Sequence, residues 1–295
     1  MTSLKGKKIL VTIQELENKE HRGIASFTKS LIIALNKAEA EIWLLVGMDF
    51  KKLKFKTYNK KLQNRVLSTF ISDYLIKGSD IKSISKVSLI KRVKYILSIF
   101  KLIFYSRFYG NFNSLKLRFL NKDDNPYLRF ERTSYLKNVE GFYVASNIYA
   151  NCKFSSFLPF SNQIKIDIQN FDALITSAPL NLSLNEKSRK NKIFIQTIHD
   201  LIPIEYEPRK IIVNSFLNML RNCKDSNNIF VSEVTRKKFE SNMISKITTK
   251  NNLKKNISNI VIIQPPTLFF EEFDDQFVYK NILNSINKSQ NKKKL

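Results

Sequence analysis

The chain has 295 residues, 43% of them hydrophobic and 12% aromatic, which supplies a sizeable core and speaks against intrinsic disorder. Its formal net charge of +25 directs attention to nucleic acid, an anionic membrane face or a phosphate-bearing substrate. The two cysteines, Cys152 and Cys223, lie far apart without CxxC or Cys/His spacing, so neither a disulfide framework nor a zinc site is expected and a reducing cytoplasm is the default.

No signal peptide is expected: residues 1–8 are polar and the apolar run behind them spans only 9–13. That run, KILVTI from Lys8, reads as a parallel strand buried on both faces, because it lacks polar alternation. A polar loop carries His21. After it, Ile24, Phe27, Leu31 and Leu35 recur at spacings of three and four, which predicts a helix of roughly three turns with one apolar face. A second strand is expected at 41–46.

The stretch 48–170 departs from this rhythm and reads as a basic, mainly helical insertion. Between Lys51 and Leu120 it holds 17 lysines and arginines against two acids, Asp73 and Asp80. Scarce glycine and abundant Asn, Lys, Ile and Ser suggest AT-rich codon usage, which accounts for part of the lysine but not for its concentration here. Residues 89–109 form a basic, aromatic-rich segment, too interrupted by Lys94, Lys101 and Arg107 to span a bilayer. Two readings stay open for it: a helix packed on the protein, or one lying in a membrane interface.

Strands are expected again at 171–176, 193–198, 228–231 and 259–263. Glu207-Pro208 followed by Ile211, Ile212, Phe216, Leu217 and Leu220 predicts a helix with proline in its first turn. Ser232 reads as the cap of a further helix through Arg236. Strands alternating with helices make an α/β, Rossmann-like doubly wound parallel sheet, with one domain over 1–270 and a polar tail over 271–295.

In such a sheet ligands bind beyond the carboxyl ends of the strands, and three elements fall there. Arg22, Gly23 and Ile24 open the first long helix, whose free N–H groups and positive end suit a phosphate. His199 and Asp200 follow the strand 193–198 directly, ahead of a proline turn at Pro203. Ser232 and Arg236 follow the strand 228–231. The plainer alternative makes Asp200 a helix cap beside a partly buried His199, and Arg236 a solvated surface charge. Neither a metal cluster nor a GxSxG nucleophile elbow is found, and no metal is expected.

The order of these pieces resembles that of family 4 glycosyltransferases. Arg22-Gly23-Ile24-Ala25-Ser26-Phe27 is similar to the family's RGIGRY opening, and 171–179 (FDALITSAP) to its FD-hydrophobic-TSP strand. Thr197-Ile198-His199-Asp200-Leu201-Ile202-Pro203 resembles xHDLIP, 231–236 (VSEVTR) resembles VSxxTR, and 261–266 (VIIQPP) resembles the VIPPG lead into a linker. The resemblance covers 7–47 and 171–266. It implies a GT-B fold, of which this chain supplies the amino-terminal, acceptor-side domain. It also implies a retaining transfer of a sugar from a nucleotide-sugar donor to a glycan or lipid-linked acceptor, without a cofactor or bound metal. Gly23 would then approach the donor phosphates and His199 the transferred sugar, with His199 and Asp200 as catalytic candidates.

Two departures qualify what is carried over. Ala25 and Phe27 stand where the family has glycine and tyrosine. The chain also ends at Leu295, shortly after Pro266, where the family's donor-binding domain begins. The expectation is therefore an amino-terminal half, inactive alone: a partner of a separate donor-domain chain, a truncated gene or a remnant. It would be cytoplasmic and peripheral on the inner membrane face, since acceptors in this family are often lipid-linked. A competing reading takes 51–120 as a noncatalytic membrane- or nucleic-acid-binding module, with Phe55, Tyr58, Phe70 and Tyr95 interleaved among its lysines. No nucleic-acid motif accompanies them, which disfavours that partner.

Overall fold

The computed structural model describes residues 3–17, 22–47, 118–121, 135–136, 138–145, 147–158, 163–224, 226–243 and 259–261, with the single positions Ile71, Leu75 and Leu97. All lie in the unit Met1–Pro265. The tail expected from 271 lies outside the described residues. So do His21 and all of the basic segment 89–109 except Leu97, which is helical and exposed.

The main sheet has eight strands in the order β10-β9-β8-β6-β1-β2-β4-β3. They are β1 (Lys8–Thr12), β2 (Glu41–Val46), β3 (Arg118–Asn121), β4 (Gly141–Val144), β6 (Ala173–Thr176), β8 (Ile193–Ile198), β9 (Asn227–Phe230) and β10 (Asn259–Val261). All neighbours pair in parallel except β3, which runs antiparallel to β4 at the edge. A separate parallel pair joins β5 (Ile164–Ile166) to β7 (Leu182–Leu184). The architecture is therefore α/β and Rossmann-like, as the alternation of apolar runs implied.

Burial explains that alternation. In β1, β4 and β6 consecutive residues are buried, since helices or loops cover both faces. Toward the outside, β9 alternates between buried and half-buried residues. On one face Ile9, Val11, Ile42, Leu44, Val46, Phe142, Val144 and Ile175 form a core with α2 (Arg22–Lys37). Leu10, Leu45, Tyr143, Leu174 and Phe194 form the other face, under α3 (Ile148–Phe157) and the β5–β7 pair. Helix α6 (Lys210–Leu220) packs beside α3, where Ser156 and Ser215 share a hydrogen bond of 2.6 Å and Asn218 Nδ2 donates to the Ser156 carbonyl at 2.6 Å.

Four expectations need correction. First, 48–170 is not outside the sheet: its described part supplies β3, β4, α3 and β5. Their strands are only three or four residues long, and Arg118 and Asn121 disguise β3, so the apolar-run signal is weak there. Second, α2 extends to 16 residues and buries Thr28 and Ser30 alongside Phe27 and Ile32. Third, Pro208 precedes α6 instead of sitting in its first turn. The Glu207 carboxylate accepts the Arg209 backbone N–H at 3.2 Å and its guanidinium at 2.6 Å, so helix formation waits until Lys210; Ile211 ends up exposed. Fourth, Pro203 belongs to the one-turn helix α5 (Ile202–Glu205), where its missing N–H costs nothing.

One glycine is demanded by close approach. At Gly47, just beyond β2, an added Cβ would sit 2.4 Å from the Tyr149 ring. That ring is a wedge between β1 and β2: its hydroxyl accepts the Ile13 N–H at 2.8 Å and donates to the Leu45 carbonyl at 2.5 Å. Burial, then the nearby Glu17 carboxylate, push the phenol well above its ordinary pKa, so it stays a donor. Gly47→Ala should cost about 1–3 kcal/mol of stability by overpacking. Tyr149→Phe should cost about 2 kcal/mol or more, because a buried N–H and C=O lose their partner. Urea denaturation of both variants measures these losses.

Candidate functional site

The chain runs from β1 outward through β2 to β4, then returns to β6 on the other side of β1 and continues to β8, β9 and β10. The direction of winding thus reverses between β1 and β6, and ligands of open α/β sheets bind beyond the carboxyl ends of strands at such a reversal. The residues that leave those ends are Thr12 and Ile13 from β1, Ser177 from β6, His199 from β8 and Ser232 after β9.

Thr12 and Ser177 stitch the reversal together. The Ser177 N–H donates to Thr12 Oγ1 at 3.0 Å, and the two hydroxyls lie 3.1 Å apart. The Ser177 hydroxyl also reaches the carboxylate of Glu15, in the one-turn helix α1 (Gln14–Glu17). Thr12, Glu15 and Ser177 are all buried. A second acid of α1, Glu17, accepts the Gly47 N–H at 2.9 Å and fills the neighbouring strand end.

His199 joins this cluster from β8. Its Nε2 lies 2.7 Å from the Ser177 carbonyl oxygen. The ring also meets Phe27 of α2 edge-on, with centroids 5.0 Å apart. Phe27 stands one turn after Gly23, so the opening of α2 and His199 share the edge. Gly23 itself is exposed, and among the described residues a Cβ there would meet nothing within 4 Å. Neither backbone conformation nor packing therefore requires a glycine at this position.

Ser232 caps α7 (Glu233–Lys238), accepting the Thr235 N–H at 3.1 Å, as its place after a strand implied. Thr235 Oγ1 then donates to the His199 carbonyl at 3.4 Å, which ties the cap to the β8 end. Gly23, His199 and Ser232 thus belong to one connected edge. Asp200 is exposed, and its carboxylate accepts the Ile202 N–H at 3.1 Å, a turn-forming role ahead of α5. Arg236 pairs with Glu233 and, at 3.5 Å, with Glu240 along its own helical stretch. Ile24 is half-buried in the first turn of α2, and Arg22 begins that helix.

Sequence reasoning missed Thr12, Glu15, Phe27 and Ser177 as members of this cluster. Thr12 and Ser177 carry a usable signal: each is a hydroxyl residue at the carboxyl end of an apolar run. Glu15 carries none, since an acid in a polar loop reads as solvated. Two further buried hydroxyls, Thr176 Oγ1 and Thr197 Oγ1, lie at these strand ends with no hydrogen-bond partner among the described residues.

The electrostatics favour a neutral imidazole. Burial lowers the His199 pKa, and the Ser177 carbonyl and Asp200 oppose it only in part. The Cys152 and Cys223 thiols, both free and buried, are pushed far above their usual range by burial. Among the described residues no three metal-ligating side chains gather, and no helix is long and apolar enough to cross a membrane.

No protein-family model matches the chain, and no curated protein or solved structure is significantly similar to it.

Because the folded pKa of His199 is depressed, the unfolded chain takes up its proton first as the pH falls. Stability is unaffected by this group above the ordinary value of about 6.5 and is lost progressively below it. An NMR pH titration should place His199 below that ordinary value. His199→Gln should lose less stability than the wild type on acidification below it, as urea midpoints at several pH values will report.

Proposed function

We propose that this chain is the acceptor-side domain of a family 4-like, retaining glycosyltransferase of the GT-B type. The supporting observation is the meeting of the Gly23 helix opening, His199 and Ser232 along the carboxyl edge beside the β1–β6 reversal, the place where an open α/β sheet receives its ligand. The three come from the separate sequence motifs whose order resembles that family.

The chemistry of such a transfer suits this edge. The departing nucleoside diphosphate carries growing negative charge, and the amino terminus of α2 offers backbone N–H groups and the positive end of a 16-residue helix. Gly23, which neither its backbone nor its packing requires, leaves room for a diphosphate against the main chain. His199 stands beside it as a neutral hydrogen-bonding group for the sugar. Asp200, in this reading, shapes the turn that presents His199 and adds negative charge near the sugar-bearing carbon. Arg236, already paired with two acids, contributes less to the diphosphate than the helix terminus does. The basic segment 51–120 holds the enzyme on the anionic inner membrane face, where a lipid-linked acceptor lies.

A panel of nucleoside diphosphate sugars tested by ligand-observed NMR should yield at least one binder. Replacing His199 by Ala should weaken it about tenfold, the equivalent of about 1.4 kcal/mol. Vesicle flotation should show retention on anionic but not neutral lipid. Binding of single-stranded DNA with a steep salt dependence, and of no nucleotide sugar, would support the rival binding module.

A further inference from the structure

The hydrogen bonds around Ser177 fix the proton on the His199 ring. A carbonyl oxygen can only accept, so the 2.7 Å contact between Ser177 O and His199 Nε2 places the ring proton on Nε2. In the neutral ring Nδ1 is then a bare acceptor, and among the described residues nothing bonds it. On the other side of the same residue, the Ser177 N–H is held by Thr12 Oγ1 at 3.0 Å. The two hydroxyls lie 3.1 Å apart, and the Ser177 hydroxyl can donate to the Glu15 carboxylate or, at 3.1 Å, to the Thr12 carbonyl. Each polar group of Ser177 is committed: its N–H and Oγ to Thr12 and Glu15, its carbonyl to His199. Phe27 packs against the imidazole with ring centroids 5.0 Å apart and planes perpendicular, which opposes rotation of the ring.

The geometry points to Glu15 as a positioning residue for His199, acting through Ser177 to hold the imidazole as the Nε2–H tautomer with Nδ1 as an open acceptor at the β1–β6 reversal. The consequence is chemical selectivity. An open Nδ1 lone pair accepts from a hydroxyl or N–H and disfavours an anionic oxygen. His199 therefore meets a donor group of the ligand, and phosphate falls to the amino terminus of α2. Naming that donor as a sugar hydroxyl rests on the glycosyltransferase reading; the tautomer and its control by Glu15 do not.

The test needs no activity. The chain holds two histidines, so ring-15N-histidine labelling gives two sets of imidazole signals, assigned with a His21→Asn variant. Long-range 1H–15N spectra of the neutral ring read the tautomer ratio directly, with the urea-unfolded chain as the unconstrained reference. In the folded wild type the Nε2–H form should exceed that reference by about fivefold or more, the ratio that a hydrogen bond of about 1 kcal/mol sustains. Glu15→Ala should relax the ratio toward the reference, while Glu15→Gln, whose amide oxygen accepts the same bond, should keep it. Ser177→Ala, which retains the carbonyl and removes the hydroxyl link, should relax the ratio as Glu15→Ala does and serves where that variant fails to fold. A folded wild type no richer in Nε2–H than the reference overturns the proposal. So does an unchanged ratio in a folded Glu15→Ala or Ser177→Ala protein, or an equal loss in Glu15→Gln. A ligand that fails to bind leaves this result standing and bears only on the glycosyltransferase reading.

Discussion

The pairing of Thr12 with Ser177 is the contact on which the rest of this edge depends. Parallel strands must diverge where the winding of the sheet reverses, because the connections on either side leave toward opposite faces. At that point the backbone groups of β1 and β6 lose their ladder partners, and buried polar groups without partners are costly. Here the two strand-end hydroxyls substitute for the ladder, and Glu15 completes the set. The same residue that closes the gap also presents its carbonyl to His199. A structural requirement of the fold thereby fixes the orientation of His199.

A parallel device operates one strand over. Tyr149 bridges the diverging ends of β1 and β2, and Gly47 exists to let that ring in. Glu17 holds the Gly47 N–H in turn. The short helix α1 therefore serves both gaps with its two buried acids, one on each side of β1. Filling the β1–β2 gap with an aromatic ring blocks that side of β1, while the β1–β6 side is lined by small hydroxyls and the imidazole. The asymmetry leaves hydrogen-bonding side chains, not an aromatic plug, on the β1–β6 side.

Much of this was legible in the residues, for physical reasons that differ by element. Runs such as 8–13, 41–46 and 193–198 announced themselves because burial on both faces demands consecutive apolar residues. The four-residue β4 did not, and β3 hides behind charge at the sheet edge, so 48–170 was read as a separate insertion although part of it completes the sheet. His199 and Ser232 were legible from their place just after strands. Glu15 was not, because its burial comes from tertiary packing of a four-residue helix that no local pattern encodes. Phe27 was read as one rung of an apolar stripe, and as a departure from the family's tyrosine; only the fold shows that its ring faces the imidazole. The proline at 208 misled in the opposite direction, since the Glu207 carboxylate, three residues before the helix begins at Lys210, outcompetes an earlier helical start.

In the proposed function the β1–β6 reversal is where this protein receives its ligand. Hydrogen–deuterium exchange with and without a bound nucleoside diphosphate sugar tests it most directly, since the backbone reports contact without any assumption about catalysis. Added protection should concentrate at 23–27, 177–179 and 199–202, the three segments that meet at that edge. Protection confined to the opposite, amino-terminal ends of the strands, or to the helices α3 and α6 on the far face, would contradict the account.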